Sequence, residues 1–418
     1  MAQRTEDSRA VEAFQTYIQT RTDHPCPDYG AGVAFLTQYA DTLGLSPYTT
    51  ELEGSASDKP IFALVFPGEE KDAAAVLLNS HMDVVTADEA CWSVDPFGGE
   101  VVDDAVYGRG TQDMKCVTIQ QMEALSRLVA RGWTPVRTVI LSVVPDEEIG
   151  GVDGMASLLD FSLALETPLE EREAVVGGHV IGFALDEGLA NPEPAAFTAF
   201  YGERAPYFVD VTATGETGHG SRFVANTAME KLIAFANTAL AYRAQQEEIL
   251  HHSGGSCEGK KLGDVLTLNL TILRAGSLHN VVPTSAYAGL DIRIPPTMTR
   301  SDLEALLDQW TEAEGLSYSF KYASPESKPT LIANSPWFKA FSSALADAST
   351  TVDLEIFPAA TDSRYIRALN CPCIGFSPIS GTPILLHDND EHLPIPVFLD
   401  GIRIYEQVIS ALSDVPVE

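Results

Sequence analysis

Three short apolar runs that end against polar or turn-forming residues constrain this chain more than any other feature. Residues 60–66 ("PIFALVF"), 73–79 ("AAAVLLN") and 138–144 ("TVILSVV") have strand length. Between the second and third, residues 118–131 carry Ile119, Met122, Leu125, Leu128 and Val129 at helical spacing and stop before Gly132. Strands that alternate with helices pack as a mainly parallel sheet covered by those helices. The pattern predicts an α/β fold. It is preceded by helical material over residues 6–43, interrupted by "TDHPCPDYGAG".

The character changes after residue 200. Residues 207–214 read as an alternating strand, 227–245 as a long helix, 265–275 and 286–294 as strands, and 301–314 as a helix. That order, with room for one more strand, predicts a smaller α+β domain built on an antiparallel sheet. Helix and strand alternation resumes beyond "KYASPESKPTLI". With 418 residues the chain is too long for one ordinary core. The expected organisation is a discontinuous α/β domain, residues 1–200 and 325–418, interrupted by an inserted domain over 201–324.

Charge narrows the partners. The net charge is −33, from 26 basic and 59 acidic residues. Such a chain lacks the basic footprint that nucleic acid or an anionic membrane demands, so neither is an expected partner. No run approaches a membrane span, and the first residues lack the apolar core of a signal peptide. Six scattered cysteines (Cys26, Cys91, Cys116, Cys257, Cys371 and Cys373) read as reduced thiols, which with the missing leader predicts a cytoplasmic protein.

Five stretches carry candidate chemistry. "LLNSHMD" ends an apolar run on His81 and Asp83. In "YGRGTQDMK", Asp113 lies between a Gly-rich turn and a helix. "LSVVPDEEIGG" places Asp146, Glu147 and Glu148 after a strand, and "IGFALDEG" places Asp186 and Glu187 likewise. "ILLHDNDEH" supplies His387. Open α/β sheets bind ligands at the carboxyl ends of their strands. Carboxylates gathered there would repel one another without cations. Two histidines with several carboxylates form the ligand set of a two-zinc hydrolytic site. In such a site one carboxylate bridges the metals while another stays off them as general base. Glu147 and Glu148 are placed to divide those roles. Asp83 suits the outer layer, accepting the His81 N–H and fixing its tautomer. Each piece alone has a plainer reading: a capping histidine, or a solvated Glu-Glu pair.

Competing chemistries lack parts. There is no G-x-S-x-G elbow, no complete G-x-G-x-x-G and no H-E-x-x-H. "GGSCEGKK" approaches a phosphate loop, but Lys261 stands where Ser or Thr must hold magnesium.

Taken together, "LLNSHMDVV", "RGTQDMKCV", "VPDEEIGG", "FALDEGLANP", "GHGSRF", "PAATDSRYIRA", "GFSPI" and "LLHDNDE" resemble, in order and spacing, the M20 family of zinc-dependent amidohydrolases and peptidases. The versions "TQDMKCV" and "PAATDSRYIRA" resemble its aminoacylase branch. The likeness runs over nearly the whole chain. It implies a zinc-peptidase-like catalytic domain and an inserted lid and dimerisation domain. It implies that His81, Asp113 and Glu187 hold one zinc, that Asp113, Glu148 and His387 hold the other, and that Glu147 is the general base. Asp83 would orient His81, and the Asp113–Met114 peptide would be cis. His219, in "TGHGSR", would reach the active site of the partner subunit in a homodimer and polarise the scissile carbonyl. Arg364 and Arg293 are the candidates for clamping a substrate carboxylate, with Asn269 and Asn280 near the acyl oxygen.

The implied activity is hydrolysis of N-acyl-L-amino acids to a carboxylate and a free amino acid, with two zinc ions per subunit. Sibling activities on the same frame are a dipeptidase, a carboxypeptidase or an acetylornithine-type deacetylase. A catalytically silent binding protein is the remaining alternative. Loops 87–90, 163–178 and 254–261 are peculiar to this chain and leave the preferred substrate open.

Overall fold

Four strands lie beneath the candidate site: β1 (Ala75–His81), β2 (Val139–Val144), β3 (His179–Asp186) and β4 (Cys373–Phe376). They run parallel in the order β2-β1-β3-β4, at the centre of a nine-stranded sheet. Antiparallel neighbours flank them: Phe62–Phe66 pairs with β2, and Ala196–Glu203 pairs with β4. This computed structural model describes residues 2–50, 59–168, 171–251, 260–326, 328–346 and 350–417. Cys257 and most of loop 254–261 lie outside them.

Every residue of β1 and β2 is buried, as strands covered on both faces must be. Successive side chains point to opposite faces and enter different cores. Val76, Leu78, Leu141 and Val143 join one core with Phe14, Ile119, Met122 and Tyr405. Leu77, Ile140 and Val144 join the other with Met155, Leu158 and Ile366. The first core is covered by helices α1 (Ala2–Gln19), α2 (Tyr29–Thr42), α3 (Lys115–Ala130) and α4 (Ile395–Ser413). Burying one leucine there contributes about 1.5–3 kcal/mol.

Two boundaries differ from the sequence pattern in ways that matter to the site. β1 continues two residues beyond the apolar run, because Ser80 and His81 remain paired with Val143 and Val144. His81 is thus held by the sheet itself. Helix α3 starts at Lys115 rather than at residue 118, which brings its first turn directly after Asp113.

The chain forms two compact units. One comprises Met1–Tyr201, Thr330–Leu354 and Thr361–Glu418; the other comprises Gly202–Pro329 and Glu355–Ala360. The second unit is built on an antiparallel sheet in the order Thr267–Ala275, Ser285–Ile294, Ala205–Thr214, Leu316–Ala323. The last of these is the additional strand for which the sequence left room. Val209, Val211, Leu290 and Ile292 pack with Phe235 of helix Ala228–His251 and Leu303 of helix Arg300–Trp310. Among the described residues, no helix is long and apolar enough to cross a membrane.

Candidate metal centre

The carboxyl ends of the parallel strands converge, and the acidic residues stand there. His81 is the last residue of β1, and Glu187 directly follows β3. After β2 the chain passes Asp146, at φ +62°, into a single tight helical turn, Glu147–Ile149. Gly151 follows at φ +66°, and a Cβ there would collide with the Asp362 carboxylate, so this turn requires glycine. Asp113 lies just before α3, and its peptide bond to Met114 is cis. His387 sits between β4 and α4 at φ +62°.

Five side chains come together in two overlapping groups. His81 Nε2 lies 3.0 Å from Asp113 Oδ1 and 3.5 Å from Glu187 Oε2. His387 Nε2 lies 3.2 Å from Asp113 Oδ2 and 3.1 Å from Glu148 Oε2. Within each group the candidate ligand atoms are all within 4.8 Å of one another, and Asp113 belongs to both. His81, Asp113 and Glu187 are buried, whereas the His387 side chain is 46% exposed. Glu147 is buried beside the groups and belongs to neither.

The charges explain why a cation fits. Burial, then the charge of Glu187, pushes Glu147 well above the ordinary carboxylate range. Burial and Asp113 push Glu187 up in the same way and also raise Glu148. Asp113 goes down: burial opposes ionisation, but the His387 and His81 imidazoles outweigh it. His387 is pushed up to about 10 by its bonds to Asp113 and Glu148. His81 also rises, because Asp113, Asp83 and Glu187 overcome its burial. The cluster therefore demands positive charge, which a divalent ion supplies more compactly than protons do. Glu148 Oε1 is buried with no hydrogen-bond partner among the described residues, as a ligand atom would be. Imidazole nitrogen with carboxylate oxygen is a donor set that suits zinc.

Asp83 differs from expectation in the atom it uses. His81 Nδ1 lies 2.9 Å from the Asp83 carbonyl oxygen, while the nearer carboxylate oxygen is 3.6 Å away. Close after the strand end, it is the main chain that meets the imidazole. The carboxylate is taken by other donors. It accepts the Glu147 and Glu148 backbone N–H groups, each at 3.1 Å, and sits 2.9 Å from His24 Nε2. Asp83 thus fixes the ring of His81 through its carbonyl and the base-bearing turn through its side chain.

Arg364 lies in the short helix Ser363–Ala368. Its Nη1 donates to the Thr361 carbonyl at 2.8 Å and stands 3.8 Å from Glu147 Oε1. The other four predicted residues belong to the second unit. His219 is exposed, and its Nδ1 lies 2.8 Å from the Ser221 hydroxyl and 3.2 Å from the Ser221 backbone nitrogen. Asn269 and Asn280 are exposed. Arg293 forms a two-point pair with Asp291, at 2.7 and 3.0 Å, so its charge already has a partner.

Several residues of this neighbourhood carried no signal in the sequence. Tyr29 Oη donates to Asp146 Oδ1 at 2.5 Å and accepts the Asp146 N–H at 3.1 Å, bracing the turn that bears Glu147. His24, Arg109 and Glu391 are likewise set by partners far away in sequence.

Residues 77–411 match the signature of Peptidase family M20/M25/M40. The chain belongs to this family. Its relatives include Aminoacylase-1 of Dictyostelium discoideum, 44% identical and aligned over 97% of this chain and 98% of that protein. Aminoacylase-1 of Sus scrofa is 43% identical over 97% of this chain and 96% of its own length. A dinuclear metal-binding M20 peptidase of Bacillus subtilis shares the fold, with a TM-score of 0.68 at 12% identity over 99% of this chain and 100% of that one. Family M20 enzymes are metal-dependent hydrolases of amide bonds, and the two groups that share Asp113 are candidates to hold such a metal.

Proposed function

We propose that this protein hydrolyses N-acyl-L-amino acids, releasing a carboxylate and the free amino acid, with two zinc ions per subunit. The observation that carries this reading is the 44% identity to Aminoacylase-1 over essentially full length, joined to two complete ligand groups and an uncommitted glutamate. His81, Asp113 and Glu187 would hold one ion. Asp113, Glu148 and His387 would hold the other. Bound there, the ions would polarise the acyl carbonyl and make water a stronger acid.

The side chains do the rest. Glu147 takes the proton of the attacking water as its oxygen adds to the acyl carbon. Its carboxylate belongs to neither ligand group, which leaves it for proton transfer as a general base. When the C–N bond breaks, Glu147 returns that proton to the leaving amine. Asp83 holds the Glu147 and Glu148 N–H groups and so fixes where both carboxylates start. Arg364, beside Glu147, pairs with the α-carboxylate of the substrate. His219 donates a ring N–H to the carbonyl oxygen that becomes negative.

The inserted domain, residues 201–324, acts as lid and dimerisation surface, and His219 serves the partner subunit. Exposed Leu273, on the outer strand Thr267–Ala275, supports that role for the sheet edge. Arg293, Asn269 and Asn280 line the substrate path, although Arg293 must first leave Asp291. Cys26, Cys91, Cys116 and Cys371 are free thiols, which goes with a reducing, cytoplasmic setting.

Zinc content per chain, measured with amino-acid release from N-acetyl-L-methionine before and after chelation, tests the reading. About two metals with chelation-sensitive release is the expected result. Two metals without release would move the activity to a sibling substrate. No metal after reconstitution would remove the centre altogether.

A further inference from the structure

The stretch "HDNDEH" supplied one ligand to the site, His387, and leaves Glu391 without a role. Its carboxylate is fully buried, yet five donors converge on it. Oε1 accepts the Gln112 N–H at 2.6 Å, the Asp113 N–H at 3.2 Å and, more weakly, the Thr111 hydroxyl at 3.4 Å. Oε2 accepts the Gly110 N–H at 3.1 Å and Arg109 Nη1 at 2.8 Å. The turn that ends on Asp113 is thus wrapped around a single side chain from the His387 loop.

The ties also run the other way. Arg109 Nη2 donates to the His387 carbonyl at 3.2 Å. The Gln112 side chain donates to the Pro383 and His392 carbonyls at 3.1 and 2.9 Å and accepts the Leu385 N–H at 3.1 Å. His387 itself has φ +62°, a conformation that costs a non-glycine residue energy and persists only where neighbours hold it. Two loops about 280 residues apart in sequence are therefore locked together in both directions, and each carries a member of the group Asp113, Glu148, His387.

We infer that Glu391, Arg109 and Gln112 form a clasp that sets the spacing of Asp113 and His387, and so fixes the affinity of the ion these two share with Glu148. Two of that ion's three ligand residues stand on clasped loops. Only Asp113 does so in the group with His81 and Glu187, whose other members are held by β1 and the end of β3. The clasp therefore bears on one ion more than on the other. It positions ligands and touches no substrate. The inference rests on the reading of this site as a two-metal centre.

Glu391→Gln is the sharpest probe. Both carboxylate oxygens face donors, so either orientation of the amide turns its NH2 group against N–H groups. Zinc is titrated into the chelator-stripped enzyme against a competing chromogenic chelator, with wild type and His387→Ala as references. Wild type should bind two ions, and His387→Ala should identify the one held by His387. In Glu391→Gln that ion should bind about 10–100-fold more weakly, with the other close to wild type. Arg109→Lys, which cannot reach Glu391 and the His387 carbonyl together, should shift the same ion in the same direction. It decides the question if Glu391→Gln lacks the wild-type circular dichroism and melting transition. Unchanged affinities, or equal weakening of both ions, would overturn the clasp. A wild-type protein that binds no zinc would instead overturn the reading of the site.

Discussion

At the scale of single residues, Glu147 separates holding metal from moving protons. It lies outside both ligand groups, so Glu147→Gln should keep its metal while kcat falls by about 100- to 10,000-fold. Metal analysis beside steady-state kinetics reads both quantities, and a variant that loses its metal or turns over normally would cost Glu147 its role. Most residues that converge on the site were legible as polar groups where an apolar run ends, and Asp113 by its place between a Gly-rich turn and a helix. His81, Glu147, Glu148 and Glu187 all interrupt or follow strand-length apolar stretches. Glu391 and Tyr29 were not legible, since a glutamate in "DNDEH" and a tyrosine in "PDYGAG" look like surface residues. What buries them, and what they bind, is contributed from 278 and 117 positions away. Local pattern carries no trace of such partners.

At the scale of elements, the alternation of β1 and β2 between two cores makes each apolar position count. Leu141→Ala should lower stability by about 2–5 kcal/mol by opening a cavity on the side of the sheet that α3 covers. Urea denaturation measures this, and a change below about 1 kcal/mol would mean that the site collapses around the void. The second unit offers a pH test away from the metal centre. Thr299 and Asp302 cap helix Arg300–Trp310 reciprocally, and the Thr299 hydroxyl and N–H hold Asp302 below its ordinary value. A depressed carboxylate stabilises above its unfolded value and loses that effect as pH falls through its folded one. Asp302→Asn should therefore melt below wild type near neutrality, with the gap closing in acid. A gap that persists at low pH would assign it to the shape of the cap. Apolar runs revealed the cores of these elements, but not their ends. β1 reaches His81 only because its neighbours continue to pair with it, and helix Ala228–His251 continues six residues past the expected stop. Pairing and packing, rather than composition, decide such boundaries.

At the scale of the molecule, the proposed exchange of His219 between subunits makes a prediction that no single-chain mechanism shares. His219→Ala and Glu147→Gln should each be inactive as purified homodimers. Mixed under conditions that exchange subunits, they should regain part of the wild-type rate, because one site of each hybrid carries both intact residues. Native mass spectrometry can establish that heterodimers have formed. Heterodimers without any activity would return His219 to its own subunit. The sequence suggested an inserted domain through a change in pattern, from alternating helices and strands to an antiparallel order. It could not show that a further short piece, Glu355–Ala360, belongs to the same compact unit, because nothing in its composition differs from its surroundings.

The division of the first unit among three separate stretches also has a consequence for birth on the ribosome. His81 and His387 are separated by about 300 residues, and at about 5–20 residues per second that interval takes about 15–60 s to translate. The continuous stretch Gly202–Pro329 has its sheet complete well before His387 emerges. Over the last 200 residues of that interval, from Glu187 to His387, the nascent chain carries Asp113, Glu147, Glu148 and Glu187 without the loop that bears His387. Under the proposed two-ion reading, early ion capture could only use the group that ends with Glu187, so the two proposed sites are expected to fill in a fixed temporal order during synthesis.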